Sequence, residues 1–220
     1  MINPNSDILD SDIGKYTNLH GHSIYSVLDG FSKIDHYVER CKAMGMHGVL
    51  LSDHAMMSSA YELDKACKKH GMKPLFGNEM YFTPNDPEKK EKIDNFKYAY
   101  HLLLVAYNDI GYRNLMKLTS DAWTKYRYYK MRTSWEQLEA NSEGIICLSA
   151  CIGGYPQQML LENREEEAED AIKRFKNIFG SNYYLEMQYT GLEEQVRVNA
   201  FFKKMSIKLD VPLVITCDLI

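Results

Sequence analysis

The 220-residue chain has few cysteines, no long apolar run and no excess of positive charge. Its five cysteines are odd in number and contain no C-x-x-C pair, which argues against a secreted disulfide scaffold and favours a reducing compartment. No run approaches the roughly 20 apolar residues of a membrane-spanning helix. Residues 1–15 are polar and lack an apolar segment of signal-peptide length. We therefore expect a soluble, cytoplasmic protein that does not contact a membrane.

The charge balance limits how the chain could bind nucleic acid. The 26 Lys and Arg residues against 30 Asp and Glu residues leave a net charge of −4. Without a global basic field, any contact with DNA has to be local. One local segment, residues 125–132 (KYRYYKMR), alternates cations with aromatic side chains. It is either a solvated loop or a nucleic-acid contact, and the pattern alone does not decide between them.

Short apolar runs alternate with amphipathic helical patterns from residue 16 onward. This alternation is typical of β-α units around a parallel sheet. Strands are predicted over residues 16–20, 48–51, 73–77 with an extension through 80–83, 100–106, 144–148, 183–187 and 211–216. About seven units suit a barrel better than a small open sheet, and no linker composition divides the chain. The sequence predicts one α/β domain over residues 16–220, a distorted (β/α)7 barrel, after a polar lead-in at 1–15.

A His-x-His pair ends the first predicted strand, within the segment LHGHSIYSVLDG that begins at Leu19. The period of two along a strand places the rings of His20 and His22 on one face. Two neighbouring imidazoles can share one metal ion or hold two adjacent ions. Asp29, just before a turn at Gly30, returns a carboxylate to the same region. Alone the pair is weak evidence, because two polar loop residues can have the same spacing.

More residues of the metal-binding type recur where other apolar runs end. In a barrel the carboxyl ends of the strands meet at one mouth, where the chemistry is located. The residues at or after such ends are His20, His22, His54, Glu79, Cys151 and Asp218, and Asp29 and His101 would join them if their loops fold inward. Imidazole, thiolate and carboxylate are usual ligands of zinc, manganese and iron. The pattern favours a multi-metal site over a set of polar core residues.

The same residues, in this order, resemble the PHP domain (polymerase and histidinol phosphatase), and more narrowly the N-terminal PHP domain of bacterial replicative DNA polymerase III alpha subunits. LHGHSIYSVLDG matches the first motif, SDH at 52–54 the second and GNE at 77–79 the third. Four stretches are typical of the polymerase branch: HLLLVAYNDIGYRNLMKLTS from His101, YYKMR from Tyr128, LSACIGG from Leu148 and NYYLEMQYTGLEEQ from Asn182. The resemblance implies a PHP-type barrel.

The resemblance also implies a site and an activity. The family's metal positions correspond to His20, His22, Asp29, His54, Glu79, His101, Cys151 and Asp218, with the first five as catalytic residues. They would hold two or three divalent ions (Zn, Mn or Fe) for a 3′–5′ proofreading exonuclease that acts on the 3′ end of DNA. Tyr128, Lys130 and Arg132 are then candidates to hold the DNA backbone or to stack a terminal base.

The end of the sequence departs from the family pattern. The last family motif is Asp-x-His, whereas this chain reads Asp218-Leu219-Ile220, so Ile220 stands where the final histidine is expected. The palm, thumb and fingers of the polymerase are not in these 220 residues, and the remaining polymerase domains are expected partners. We expect a fragment, a split gene product or a truncated reading frame, in which the last ligand is missing or the end is not the native continuation.

Two other functions fit the same sequence. PHP domains of this family can lose ligands and keep their fold, so the chain could be an inert scaffold that stabilises the polymerase and binds a proofreading exonuclease subunit. A free-standing PHP phosphatase on a small phosphate ester would suit the chain length. A phosphatase of that kind would not explain why this chain contains the polymerase-type stretches.

Overall fold

The computed structural model describes residues 16–93 and 97–218. The helices in these ranges are α1 (Ile34–Ala43), α2 (Ala60–His70), α3 (Asp109–Thr124), α4 (Trp135–Ala140), α5 (Tyr155–Leu161), α6 (Glu165–Phe179) and α7 (Glu193–Leu209). The strands are β1 (Gly48–Leu51), β2 (Lys73–Phe82), β3 (Tyr100–Ala106), β4 (Arg127–Tyr128), β5 (Lys130–Thr133), β6 (Ile145–Leu148), β7 (Tyr183–Met187) and β8 (Leu213–Ile215). None of these helices has both the length and the apolar character that crossing a membrane requires.

One curled sheet contains the eight strands, and its longest strand, β2, lies at its centre. The order along the sheet is β4-β5-β2-β3-β6-β7-β8, with β1 paired to β2 as well. The first residues of β2, Lys73 to Phe76, pair in parallel with β1, whereas Tyr81 and Phe82 at its end pair with β5. Its other edge pairs with β3 along seven residues. The two ends of β2 therefore pair with different strands on the same edge, first with β1 and then with β5.

The predicted parallel sheet is wrong at one strand. β3 runs antiparallel to both β2 and β6, whereas β1–β2, β6–β7 and β7–β8 are parallel. The connection from β2 to β3, over residues 83–99, contains no helix in its described part, and a direct connection returns a strand antiparallel, because a parallel return needs a crossover. The reversal brings the first residues of β3, Tyr100 and His101, to the mouth formed by the carboxyl ends of the parallel strands.

The predicted first strand, residues 16–20, closes the barrel without forming a regular ladder. Asn18 Nδ2 donates to the carbonyl of Cys217 (2.8 Å), and Asn18 Oδ1 accepts from the N–H of Cys217 (2.9 Å). Three residues later, the carbonyl of Gly21 accepts from the N–H of Ser52 (2.8 Å). The segment thus joins the end of β8 to the end of β1, with an asparagine side chain in place of backbone partners. The predicted distorted α/β barrel is confirmed as one curled sheet.

The alternation of side chains along the strands separates the core from the site. On β3, Leu102 and Leu104 belong to the large apolar cluster under helices α3 to α7. Leu103 and Val105 point to the other face and fill the inside of the curled sheet with Leu50, Leu148 and Ala150. Some polar side chains of the inner face lie nearer the mouth. The apolar side chains of the inner cluster therefore fill the space beneath them.

Candidate metal centre

Four imidazoles converge on one buried carboxylate at the mouth. Glu79 extends from the inner face of β2, and its Oε1 lies 3.3 Å from His20 Nε2 and 2.9 Å from His101 Nδ1. Its Oε2 lies 3.4 Å from His22 Nε2 and 2.8 Å from His54 Nδ1. The register explains one pair, since Glu79 and His101 both face inward on the neighbouring strands β2 and β3.

Three further side chains complete the cluster around these histidines. Asp29 Oδ2 lies 2.6 Å from His54 Nε2. Asp218 Oδ1, beyond β8, lies 3.5 Å from His20 Nε2 and 3.4 Å from His22 Nε2. Cys151 Sγ lies 3.4 Å from His101 Nδ1. The structure therefore brings together all eight residues that the sequence singled out as ligands, whereas Ile220 lies outside the described residues.

Several candidate metal-ligand atoms of the cluster are buried and make no hydrogen bond of good geometry, although His54 Nδ1 and Glu79 Oε2 lie 2.8 Å apart. They are His20 Nε2, His22 Nε2, His54 Nδ1, Glu79 Oε2 and Asp218 Oδ1. Leaving one such group unpaired costs on the order of 1–3 kcal/mol, so five in one place require a common partner. Three overlapping triplets have ligand atoms within 4.8 Å of one another: His20–His22–Glu79, His22–Asp29–His54 and His54–Glu79–His101. This geometry, with nitrogen, oxygen and sulfur donors, fits a cluster of divalent cations.

The electrostatics of the cluster show that it attracts positive charge. Burial opposes protonation of His22, but the carboxylates of Asp218 and Glu79 outweigh burial and raise the pKa of His22 to about 9. Burial likewise opposes ionisation of Glu79, yet His20 and His101 hold the pKa of Glu79 well below its usual range. Burial and the negative charge of Glu79 raise the pKa of the Cys151 thiol and so disfavour its thiolate form. Bound cations would replace the protons of the imidazoles and favour the thiolate.

A second carboxylate, which the sequence analysis missed, orients the first histidine. Glu186 Oε1, on the inner face of β7, lies 2.7 Å from His20 Nδ1 and also accepts from Gln188 Nε2 (3.0 Å). Such a contact fixes the tautomer and the rotation of an imidazole, so that its other nitrogen faces the metal. The available signal was a single acidic residue within the otherwise apolar or aromatic strand Tyr183–Met187.

His22 is oriented through a hydroxyl group. Its Nδ1 lies 2.9 Å from Ser26 Oγ, and that hydroxyl donates to Asp53 Oδ1 (2.9 Å). The same carboxylate accepts from the N–H of Ser23 (2.7 Å). Asp53, fully buried in the SDH motif, thus holds the loop of the first motif in place, and its neighbour His54 reaches the cluster.

The backbone is strained beside three of the candidate ligand residues. Non-glycine residues rarely adopt a left-handed conformation, and the cost is tolerated mainly at functional sites. The residues concerned are Leu28 (φ 72°) before Asp29, Ala55 (φ 52°) after His54, and Ala150 (φ 67°) before Cys151. The strained positions therefore lie directly next to three of the candidate ligands in the chain.

Arg132, predicted to contact DNA, is instead enclosed by protein. Its side chain is 1% exposed. The guanidinium donates to the carbonyls of Pro87 (2.8 Å), Lys89 (3.1 Å) and Glu91 (3.2 Å). A buried guanidinium needs acceptors for its five N–H groups, and the loop after β2 supplies them. This guanidinium is therefore not available to a phosphate, which corrects the expectation from sequence.

Lys130 lies beside the cluster, and Tyr128 packs against the buried Arg132. Lys130 Nζ lies 3.2 Å from Tyr81 Oη and 4.5 Å from the centre of that ring. The Tyr81 ring stacks on His54, with centroids 5.8 Å apart and planes 13° apart. The half-buried ring of Tyr128 packs against Arg132, whose Cζ lies 5.3 Å from its centroid. Of these residues, Lys130 is therefore the one that contacts a neighbour of the candidate metal ligands.

Comparison with known proteins agrees with this geometry. The family model of the PHP domain matches residues 18–190. The DNA polymerase III subunit alpha of Borreliella burgdorferi is 41% identical over 204 residues, which cover 93% of this chain and 18% of that protein. The same subunit of Aquifex aeolicus is 40% identical over 208 residues, covering 92% of this chain and 18% of that protein. The chain thus spans less than a fifth of the length of these relatives.

Two solved structures share the fold at low sequence identity. A protein from Bifidobacterium adolescentis, named as a candidate metal-dependent phosphoesterase, superposes with a TM-score of 0.56 at 18% identity, covering 93% of this chain and 87% of that one. An amidohydrolase from Chromobacterium violaceum gives a TM-score of 0.53 at 12% identity, with coverages of 92% and 87%. At these identities the likeness concerns the fold alone. With the family match over residues 18–190, the chain is a member of the PHP domain family.

Proposed function

We propose that this chain is the PHP domain of a DNA polymerase III alpha subunit, and that it is a metal-dependent phosphodiesterase that removes nucleotides from the 3′ end of DNA. The observation that carries the chemistry is the set of buried, unpartnered donor atoms around Glu79. The similarity to alpha subunits supports DNA as the substrate and the remaining polymerase domains as partners. Such a role would place the protein in the cytoplasm.

The eight clustered residues would hold two or three divalent ions, with Zn, Mn and Fe as candidates. These ions would supply an activated water and neutralise charge on the phosphate. Glu79, 1% exposed, lies between the imidazoles and keeps them within reach of shared ions. The buried His20 and His22 form the inner side of the centre, with Asp218 against them.

The side of the centre formed by Asp29, His54 and His101 is partly open to solvent, as is Asp218, whose side chain is 24% exposed. The side chains of Asp29, His54 and His101 are 35%, 19% and 28% exposed. A phosphate group would therefore approach from this side. Lys130 contacts Tyr81 near this side, and its cation would contact the DNA backbone.

The test uses single-stranded DNA labelled at its 5′ end. Stepwise shortening from the 3′ end in the presence of Mn²⁺ or Zn²⁺, lost with EDTA, is the expected result. The double variant His20→Ala, His22→Ala is the control. If the wild-type chain releases no more mononucleotide than this variant, the proposal is wrong. Turnover of a phosphomonoester without any turnover of DNA would instead support a small-molecule phosphatase.

A second candidate function is an inert scaffold, which an exposed apolar loop favours. Val27, Leu28 and Phe31 are 76%, 103% and 89% exposed, and clustered apolar exposure is typical of protein interfaces. The loop would then contact other polymerase domains or a proofreading exonuclease subunit. Elemental analysis separates the two functions, because a scaffold needs no stoichiometric metal. One or more tightly held ions per chain would argue against the scaffold.

A further inference from the structure

Three tyrosine rings form a cluster on the hairpin of β4 and β5 and the segment facing it. The ring centroids of Tyr98 and Tyr129 lie 4.4 Å apart, and those of Tyr128 and Tyr129 lie 4.9 Å apart. Tyr98 and Tyr128 close the triangle at 5.7 Å. Tyr98 comes from the chain just before β3, so two separate segments build this tyrosine cluster.

Tyr129 is the exposed member and has an unfavourable backbone conformation. Tyr128 pairs with Lys130 across the hairpin, which leaves Tyr129 alone at the apex. Its φ is 57°, a value that glycine or asparagine adopts more easily than an aromatic residue. The side chain is also 70% exposed, so burial does not compensate for the strain. A large aromatic side chain at this position therefore costs stability without filling the core.

The tyrosine cluster packs against a buried arginine that is held by the loop after β2. Tyr128 packs against the buried guanidinium of Arg132, which is tied to the carbonyls of Pro87 and Lys89. Directly after Tyr129, Lys130 contacts Tyr81, whose ring stacks on His54. One side of the tyrosine cluster is thus held by protein, while Tyr129 is exposed to solvent and is followed by Lys130, which contacts a residue stacked on His54.

We propose that the tyrosine cluster stacks unpaired nucleobases, and that it selects single-stranded nucleic acid as the substrate of this centre. Aromatic rings bind all four bases through their faces, and this binding does not depend on sequence. Exposed Lys130 would contact the backbone between the stacked base and the metal ligands. The inference rests on the proposed phosphodiesterase function for its biological meaning, but base stacking itself needs no metal.

The test compares two labelled probes in EDTA by fluorescence anisotropy. One is (dT)12, and the other is a 12-residue abasic strand with the same phosphates. The wild-type chain is expected to bind (dT)12 at least about fivefold more tightly, since stacking contributes this much per base or more. Tyr129→Asn, which suits the left-handed turn, should lose this preference without a fall in Tm. Tyr129→Trp should keep it.

Tyr107→Ala is the matched control, since Tyr107 is 53% exposed and follows β3 at the end of the barrel opposite the mouth. It should bind both probes as the wild type does. Equal binding of the two probes by the wild type, or an unchanged preference in Tyr129→Asn, overturns the inference and indicates that the tyrosines only pack the loop or contact another protein. Base preference without hydrolysis would overturn the proposed function alone, and hydrolysis without base preference would overturn this inference alone.

Discussion

The Nδ1 atom of His20 lies 2.7 Å from Oε1 of Glu186, and both side chains are fully buried. The two residues are 166 positions apart in sequence. The contact joins the segment that closes the barrel to strand β7. Because Nδ1 is engaged by a carboxylate, Nε2 of His20 is turned toward Glu79 and Asp218.

Replacing Glu186 should therefore weaken metal binding although Glu186 is not itself among the clustered ligands. Loss of a carboxylate that orients a ligand histidine typically reduces metal affinity by roughly 10- to 100-fold. We expect this loss for Glu186→Ala and a smaller one for Glu186→Gln, whose amide oxygen can still accept. Competition with a chromogenic chelator measures the affinity. The exposed Glu166→Gln is the control, and equal affinities for all four proteins would contradict the prediction.

Replacing Cys151 should change which metal the centre prefers. Thiolate favours zinc and cobalt over manganese and magnesium, and Cys151 Sγ is 3.4 Å from His101 Nδ1. Cys151→Ser should reduce zinc affinity more than manganese affinity. In the Co²⁺-loaded protein it should also abolish the thiolate charge-transfer absorption. Cys217→Ser, at an exposed cysteine, should retain that absorption, and its retention in Cys151→Ser would exclude the thiol as a ligand.

Arg132 should contribute to stability rather than to DNA affinity. Its guanidinium satisfies buried carbonyl groups of the loop after β2. Arg132→Ala should lower the free energy of unfolding by roughly 2–4 kcal/mol, because several acceptors lose a charged donor. Urea unfolding measures the change, and proteolysis should cut residues 84–93 faster. The exposed Arg113→Ala serves as the control. A loss below about 0.5 kcal/mol, which is ordinary for a surface site, would contradict this role.

Removal of metal should lower thermal stability. A ligand present at 100 times its dissociation constant stabilises the folded state by about 2.7 kcal/mol, and for a chain of this size each kcal/mol shifts Tm by roughly 2–4 °C. EDTA should therefore lower Tm by roughly 5–10 °C per tightly held ion. The double variant His20→Ala, His22→Ala should show a smaller effect. An identical Tm with and without EDTA in the wild type would contradict the presence of a structural metal cluster.

Some site residues could be found from sequence because they follow simple local rules. His54 comes shortly after an apolar strand, and His20 and His22 have the spacing that puts two rings on one face. These rules depend only on strand geometry and on the convergence of strand ends in a barrel. Arg132 could not be assigned in the same way. Its acceptors are carbonyls some 40 residues earlier in the chain, and sequence patterns do not show where a cation finds its partners.

The sequence by itself determined the alternation of strands and helices, the barrel and the chemical types of the ligands, because these follow from local periodicity and from side-chain chemistry. Only the tertiary structure decided the direction of β3, the pairing of Glu186 with His20 and the burial of Arg132. The physical reason is that strand direction and long-range contacts depend on the packing of the whole chain. His101 illustrates both contributions. Its residue type suggested a metal ligand from sequence, and the antiparallel direction of β3 brings its side chain to Glu79.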